Sequence, residues 1–262
     1  MSHQESYYRN NTAYAEFLAG WDAGFYAKYA DTLQPATPGA RVLDVGCGVG
    51  QVTARLTEAG CEAHGVDVSE PNIAKARQFN PRCQIYDGRK LPFPDRHFAS
   101  AGALNVLEHV DEPEAFIAAL VRVVAPGGRV VLSSPNFFRV FGFRDYHPRM
   151  RGFGSKWRNW KRLGEKRRQI RTNPEAVRFD RMAPIVKEPF TPDDDAIIAT
   201  NAAEMEFFLK RNGCRVESVS CTDRLWAAAV EFPVNPGPCR YLLCNAFPVS
   251  VGLSSAQQSG RL

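Results

Sequence analysis

Three absences bound what this chain is. It has no stretch approaching the ~18 consecutive apolar residues that cross a membrane, and its start, MSHQESYYRN, lacks the apolar core of a signal peptide. A cytoplasmic location is therefore expected. It also has no Cys-x-x-Cys pair. The seven cysteines, at 47, 61, 83, 214, 221, 239 and 244, are odd in number, scattered and without histidines at metal-ligand spacing. That argues against a zinc cluster and a secreted disulfide framework. No metal is expected, and the thiols are expected to be free and mostly buried in a reducing cytoplasm. Finally, the chain lacks the low hydrophobicity and charge excess of a disordered protein. With 44% hydrophobic, 23% charged and 11% aromatic residues among 262, it has material for a large folded core.

Charge is unevenly placed. Between Arg139 and Met182 there are fourteen Lys/Arg and four Asp/Glu, a net of +10. The remainder, with 19 basic and 24 acidic residues, carries −5. A mildly acidic body therefore carries one basic insert, which bears on partners rather than on fold.

Along the body, short β-branched apolar runs recur at intervals of roughly twenty residues, the rhythm of βα units. They are Val42–Val45, Ala63–Val68, Gln84–Tyr86, Phe98–Leu104 and Arg129–Leu132. Between them, Gln51–Ala59 reads as a helix stopped by Gly60, and Ser69 caps a second that Asn80-Pro81 ends. A third begins at Asp111, with Phe116, Ile117, Leu120, Val121 and Val124 as its buried stripe, before Pro126-Gly127-Gly128 turns the chain. This alternation predicts an α/β fold with a doubly wound, mostly parallel sheet.

Residues 1–40 read as a helical cap rich in aromatics, 41–134 as the α/β core, and 135–192 as the basic aromatic insert. Residues 193–252 supply a helix (193–212) and two late strands, Cys214–Cys221 and Leu225–Phe232, expected to pair antiparallel at one side of the sheet. Residues 253–262 read as a mobile tail.

The first strand runs directly into VLDVGCGVG. Gly46, Gly48 and Gly50 permit a tight turn into a helix whose backbone N–H groups favour negative charge. A dinucleotide fingerprint, G-x-G-x-x-G, fails because its third glycine falls on Gln51. The D-x-G-x-G-x-G arrangement resembles motif I of the class I S-adenosylmethionine-dependent methyltransferases, and the resemblance continues in order. Asp67 stands in GVDVSE, Asp87-Gly88 in YDGRKLPF, then come ALNVLEHVDEP and VRVVAPGGRVVLSS.

It covers roughly residues 35–135 and is nearest to the ubiquinone/menaquinone-biosynthesis-like (methyltransferase type 11) group. The resemblance implies a seven-stranded Rossmann-like methyltransferase fold. Its cofactor would be S-adenosyl-L-methionine, leaving S-adenosyl-L-homocysteine. It also implies a site: the glycines 46, 48 and 50 at the cofactor, Asp67 with Val68 at the ribose hydroxyls, Asp87 and Gly88 at the adenine, and Asn105 at the methionine part. Asp44 either anchors the glycine loop or meets the cofactor's amino group through water.

Methyl transfer to a hydroxyl needs in-line alignment and a base. His109, beyond the fourth strand, and His147, at the opening of the insert, are the candidates, with Glu108 as a positioning carboxylate.

The insert interleaves eight aromatics between Phe137 and Trp160 with arginines and lysines. Three readings remain open. It could be a lid over an anionic acceptor, an RNA surface, or a membrane-surface helix using Trp157, Trp160, Leu163 and Ile170, a face about 140° wide interrupted by Gly164.

The preferred function is methylation of a small or carrier-linked, anionic biosynthetic acceptor, on oxygen. The alternatives are an RNA methyltransferase, with nucleic acid the less favoured partner, and a protein that binds the cofactor without turnover. Oligomeric state is open.

Overall fold

The structure is a computed structural model that describes residues 7–140, 147–185, 194–219 and 249–253. Helices α1 (Thr12–Ala19) and α2 (Ala27–Leu33) precede strand β1 (Arg41–Val45). Then follow α3 (Gln51–Glu58), β2 (Glu62–Asp67), α4 (Glu70–Ala76), β3 (Cys83–Ile85), β4 (Phe98–Leu104), α5 (Pro113–Arg122) and β5 (Val124–Ser133). The insert contributes α6 (Gly152–Thr172) and a two-strand ribbon, β6 (Asp180–Arg181) with β7 (Ile198–Ala199). Helix α7 (Ala202–Arg211), β8 (Cys214–Val219) and β9 (Val249–Leu253) complete the described chain.

The five core strands are parallel, in the order β3-β2-β1-β4-β5. This is the α/β Rossmann-like arrangement that the run-and-helix rhythm predicts. Beyond β5 the sheet turns antiparallel: β9 lies against β5, and β8 against β9. The strand beside Cys214–Val219 is therefore Val249–Leu253. The expected partner, Leu225–Phe232, lies outside the described residues, as do 254–262 of the expected tail.

Strands buried on both faces need continuous apolar runs, and β1 has one: Val42, Leu43 and Val45 are fully buried. On one face Val42 packs with Tyr29, Leu33, Val52 and Leu56 of α2 and α3. On the other, Leu43 and Val45 join Ile117 and Leu120 of α5 and Met205 and Leu209 of α7. The helices approach closely because small residues line the strands. A Cβ on Gly102 would lie 2.5 Å from the Tyr29 hydroxyl and 2.8 Å from the Val131 carbonyl.

Two expected helices are shorter than their sequence pattern. The third ends at Arg122, so Val124 already belongs to β5, whose Pro126-Gly127-Gly128 forms an irregularity inside the strand. The segment before Asn201 is extended rather than helical. Asn201 itself caps α7, its side chain accepting from the Glu204 N–H at 3.1 Å.

The lead-in is helical in two pieces, and its aromatics form a continuous ladder from Tyr7 to Tyr26, with neighbouring ring centroids 4.8 to 6.2 Å apart. Cys47, Cys61, Cys83 and Cys214 are free and buried; the other three cysteines lie outside the described residues. Among the described residues no helix is long and apolar enough to cross a membrane.

Helix α6 is fixed to the body by a buried cation. Lys166 Nζ lies 2.6 Å from Glu204 Oε1 and 2.9 Å from Asp180 Oδ1, and donates to the Arg178 carbonyl. Burial pushes the Glu204 carboxyl up to about 7, against the pull of Lys166 and Asn201.

Leu163 is buried beside this lysine and Ile170 is half-buried, whereas Trp157 and Trp160 are exposed. The apolar face expected for these four residues is thus split, its Leu163 and Ile170 edge turned to the body and its two tryptophans to solvent. A buried Lys166 is the reason, since it claims the inward side for the ion pairs. Lys166→Ala, which leaves the buried Glu204 without its cation while Arg162 still pairs with Asp180 at 2.6 Å, is expected to lower the unfolding free energy in urea titration by about 3–5 kcal/mol. A loss under about 1 kcal/mol, the range of exposed pairs, would contradict the buried cluster.

Candidate functional site

The site is built at the carboxyl ends of β1 to β4. Gly46, Gly48 and Gly50 all take positive φ, at 72°, 53° and 89°. Space as well as conformation requires the first and third. A Cβ at Gly46 would meet Val106 Cγ2 at 2.2 Å, and one at Gly50 would meet Ala76 at 2.9 Å. The N–H groups of Gly46 and Cys47 both donate to the Val66 carbonyl, at 2.7 and 3.0 Å, which folds the loop back over β2. Gly48 faces Leu18 of α1, whose Cδ1 would stand 3.3 Å from an added Cβ. The aromatic lead-in therefore covers the glycine loop.

Asp67 links this loop to the next. Its Oδ2 accepts from the Gly48 N–H at 2.9 Å; Oδ1 accepts from the Ser69 N–H at 2.8 Å and the Asn72 amide at 3.4 Å. Burial raises its proton affinity, and the N–H donors oppose that rise. Val68 beside it is half-buried.

Asp44 is buried and accepts the Tyr29 hydroxyl at 2.9 Å. Burial pushes its carboxyl from 3.8 up to about 8, with the Tyr29 bond pulling the other way. Asp87 is exposed and closes its own turn, Oδ1 accepting from the Arg89 and Lys90 N–H groups at 2.9 and 2.8 Å. Those bonds hold its carboxyl below the usual range, and Gly88 completes the turn at φ 74°.

Asn105 is strained into positive φ, 53°, with its N–H on the Ser133 carbonyl at 2.9 Å. Its Oδ1 is buried without a hydrogen-bond partner, as are Gln51 Oε1 at the start of α3 and Asn72 Oδ1 beside Asp67. Three orphaned amide oxygens around one glycine loop fit a polar ligand there, since unmet buried acceptors cost stability.

Of the two histidine candidates, His109 sits at this edge in the short turn Leu107–His109 that follows β4. It is buried, with Nδ1 3.2 Å from the Tyr8 hydroxyl and 3.4 Å from Asp195 Oδ2, while Nε2 is 3.8 Å from Glu108 Oε1. Tyr8 also donates to Asp195. Burial, with Tyr14 and Asp195 nearby, pushes the Tyr8 phenol well above its usual value.

Glu108 is fully buried, its Oε2 2.6 Å from the Ser134 hydroxyl, and its carbonyl receives the Ile197 N–H at 2.9 Å. Tyr8 and Asp195 were not legible as site residues. They lie 101 and 86 positions from His109, and no local spacing connects them.

His147 is also buried, but its Nδ1 accepts from the Arg149 N–H at 3.1 Å to cap a turn, and its ring meets Phe137 edge-on. His64 pairs with Glu62 at 3.0 Å and His97 with Arg41 at 3.0 Å, at the amino ends of the strands and away from the glycine loop.

A family model described as a methyltransferase domain matches residues 43–132. A ubiquinone biosynthesis O-methyltransferase of Dechloromonas aromatica is 36% identical over 105 residues, covering 37% of this chain and 45% of its own. Its counterpart in Idiomarina loihiensis is 32% identical over 124 residues, covering 43% and 48%. The chain thus spans about half the length of the curated relatives it matches. Among solved structures, an S-adenosylmethionine-dependent methyltransferase from Mesorhizobium loti aligns over 89% of this chain and 99% of its own, with a TM-score of 0.56 and 18% identity. That likeness speaks for the fold alone.

The folded chain holds a proton on Asp44 that the unfolded chain releases above about pH 4. The resulting stability is present in full below that value and is lost as pH rises through about 8. Asp44→Asn keeps an acceptor for Tyr29 and removes the ionisation. It is expected to flatten the fall in melting temperature over that window. Parallel curves for the two proteins would count against a proton held at Asp44.

Proposed function

We propose that the chain is a class I S-adenosylmethionine-dependent methyltransferase that methylates a small or carrier-linked, anionic biosynthetic acceptor, on oxygen, a reading supported by the methyltransferase-domain match over residues 43–132. The cofactor of such a domain is S-adenosyl-L-methionine, which supplies an electrophilic methyl on a sulfonium and leaves as S-adenosyl-L-homocysteine. The observation that carries the reading is the bond between the Asp67 carboxylate and the Gly48 N–H. It joins the loop that would pass beneath the cofactor to the acid that would hold its ribose.

Three N–H donors occupy about three of the four lone-pair sites of Asp67. Two ribose hydroxyls then fit only if one of these contacts yields, the longest being that of the Asn72 amide at 3.4 Å. Gly46, Gly50 and Val68 would line the same cradle, and the amide of Asn105 would face the methionine part. Asp87 would give the adenine its carboxylate edge and Gly88 its N–H. Asp44 would take a cation's company readily, because a positive charge near its buried carboxyl favours loss of the proton.

For the acceptor, His109 would serve as base, oriented by Asp195 and Tyr8. His147, occupied as a turn cap, fits that role less well. Residues 135–192 would lie over the acceptor side, an arrangement supported by the Ile197 N–H bond to the Glu108 carbonyl just beyond the insert. The oxygen preference is supported by the two ubiquinone-biosynthesis relatives, which are named as O-methyltransferases.

Asp67→Ala is expected to weaken cofactor binding about tenfold or more, the cost of roughly one charged hydrogen bond. Calorimetry showing unchanged affinity would remove Asp67 from the ribose. His109→Ala is expected to lower kcat about 10²- to 10⁴-fold with cofactor affinity intact; full activity at every pH would remove it as base. Mass spectrometry after incubation with cofactor and a metabolite extract should reveal a product heavier by one methyl. Methylation of RNA alone would give the nucleic-acid reading, and binding without any methylated product would give the non-catalytic one.

A further inference from the structure

Helix α6 shows solvent a face that its inward anchorage leaves uncovered. Phe153, Trp157 and Trp160 are 95%, 54% and 50% exposed, half of the large hydrophobic side chains so exposed among the described residues. At 100° per residue they fall within about 60° of one another, and the same face continues through Gly164 to Arg168 and Arg171. A Cβ added at Gly164 would meet no atom within 4 Å, so nothing in the body covers the middle of that face. Lys161 flanks it, its Nζ 5.2 Å from the centre of the Trp157 ring. The acid of the helix, Glu165, stands to the side and pairs with Arg162 at 3.1 Å. The face is therefore aromatic in its first half, cationic in its second, and free of carboxylates.

We propose that this face binds the surface of an anionic lipid bilayer, with α6 lying along the interface. Tryptophan and phenylalanine favour the headgroup boundary, and cations on the same helix meet anionic headgroups. The geometry favours lipid over single-stranded RNA. Base stacking needs open ring faces along a groove. Here Trp157 and Trp160 pack against each other at 5.0 Å, Lys161 stands over Trp157, and the helix is a convex ridge. Lys166, Leu163 and Ile170 hold the adjoining inward side, so the helix can engage a surface without leaving the body. The inference does not depend on methyl transfer.

Co-sedimentation of the full chain with vesicles tests it, comparing phosphatidylcholine alone with phosphatidylcholine mixed with phosphatidylglycerol. Partitioning is expected to be about tenfold or more stronger on the anionic vesicles and to weaken with salt. Arg168→Glu with Arg171→Glu should remove that preference. Phe153→Ser with Trp160→Ser should lower binding about tenfold while circular dichroism stays native, since both side chains are exposed. No partitioning of the parent chain, or anionic binding unchanged in the aromatic variant, would overturn the proposal. So would RNA retention by gel shift that tracks the charge reversal without any vesicle binding.

Discussion

One carboxylate ties the site together. Asp67 ends β2 and accepts N–H bonds from Gly48, Ser69 and Asn72, so a single buried group fixes the glycine loop, the start of α4 and the end of a central strand. A buried carboxylate is tolerable because those donors offset its desolvation. The loop in turn depends on positions without side chains: Val106 fills the space beside Gly46, and Ala76 the space beside Gly50.

Buried charge recurs as the means of fastening the periphery. The Lys166–Glu204–Asp180 cluster holds the insert helix to α7 and the small ribbon, and Tyr8 with Asp195 and His109 holds the leading segment to the turn after β4. Such groups stabilise only when every partner is present, since an unpaired buried charge is costly. The apolar packing on the two faces of β1, β4 and β5 supplies the bulk of the core.

What could be read in the sequence was local. The strands at Val42, Ala63, Phe98 and the glycine turn after β1 are written in consecutive residues, because β-branched runs and glycine spacing act over a few positions. Asp67 is legible for the same reason. The failures share the opposite property. Lys166 reads as a surface cation, and only its encounter with Glu204, 38 positions on, reveals that α6 has an inward polar side. Val249–Leu253 pairs with both β5 and β8, a choice made by the sheet edge rather than by the strand's own pattern. Tyr8 and Asp195 become neighbours of His109 only through the closing of the whole fold. Asp87 was read from its position, and the structure adds that its Oδ1 closes the local turn.

The leading segment has a kinetic meaning. Leu18 stands over Gly48 while Tyr8 reaches across to His109, so the described part of the leading segment covers the crevice at two points. A molecule that fills the crevice must pass beneath this roof or lift it. Under the proposed function, release of the spent cofactor would then be coupled to the Tyr8 hydroxyl, the same group that contacts His109.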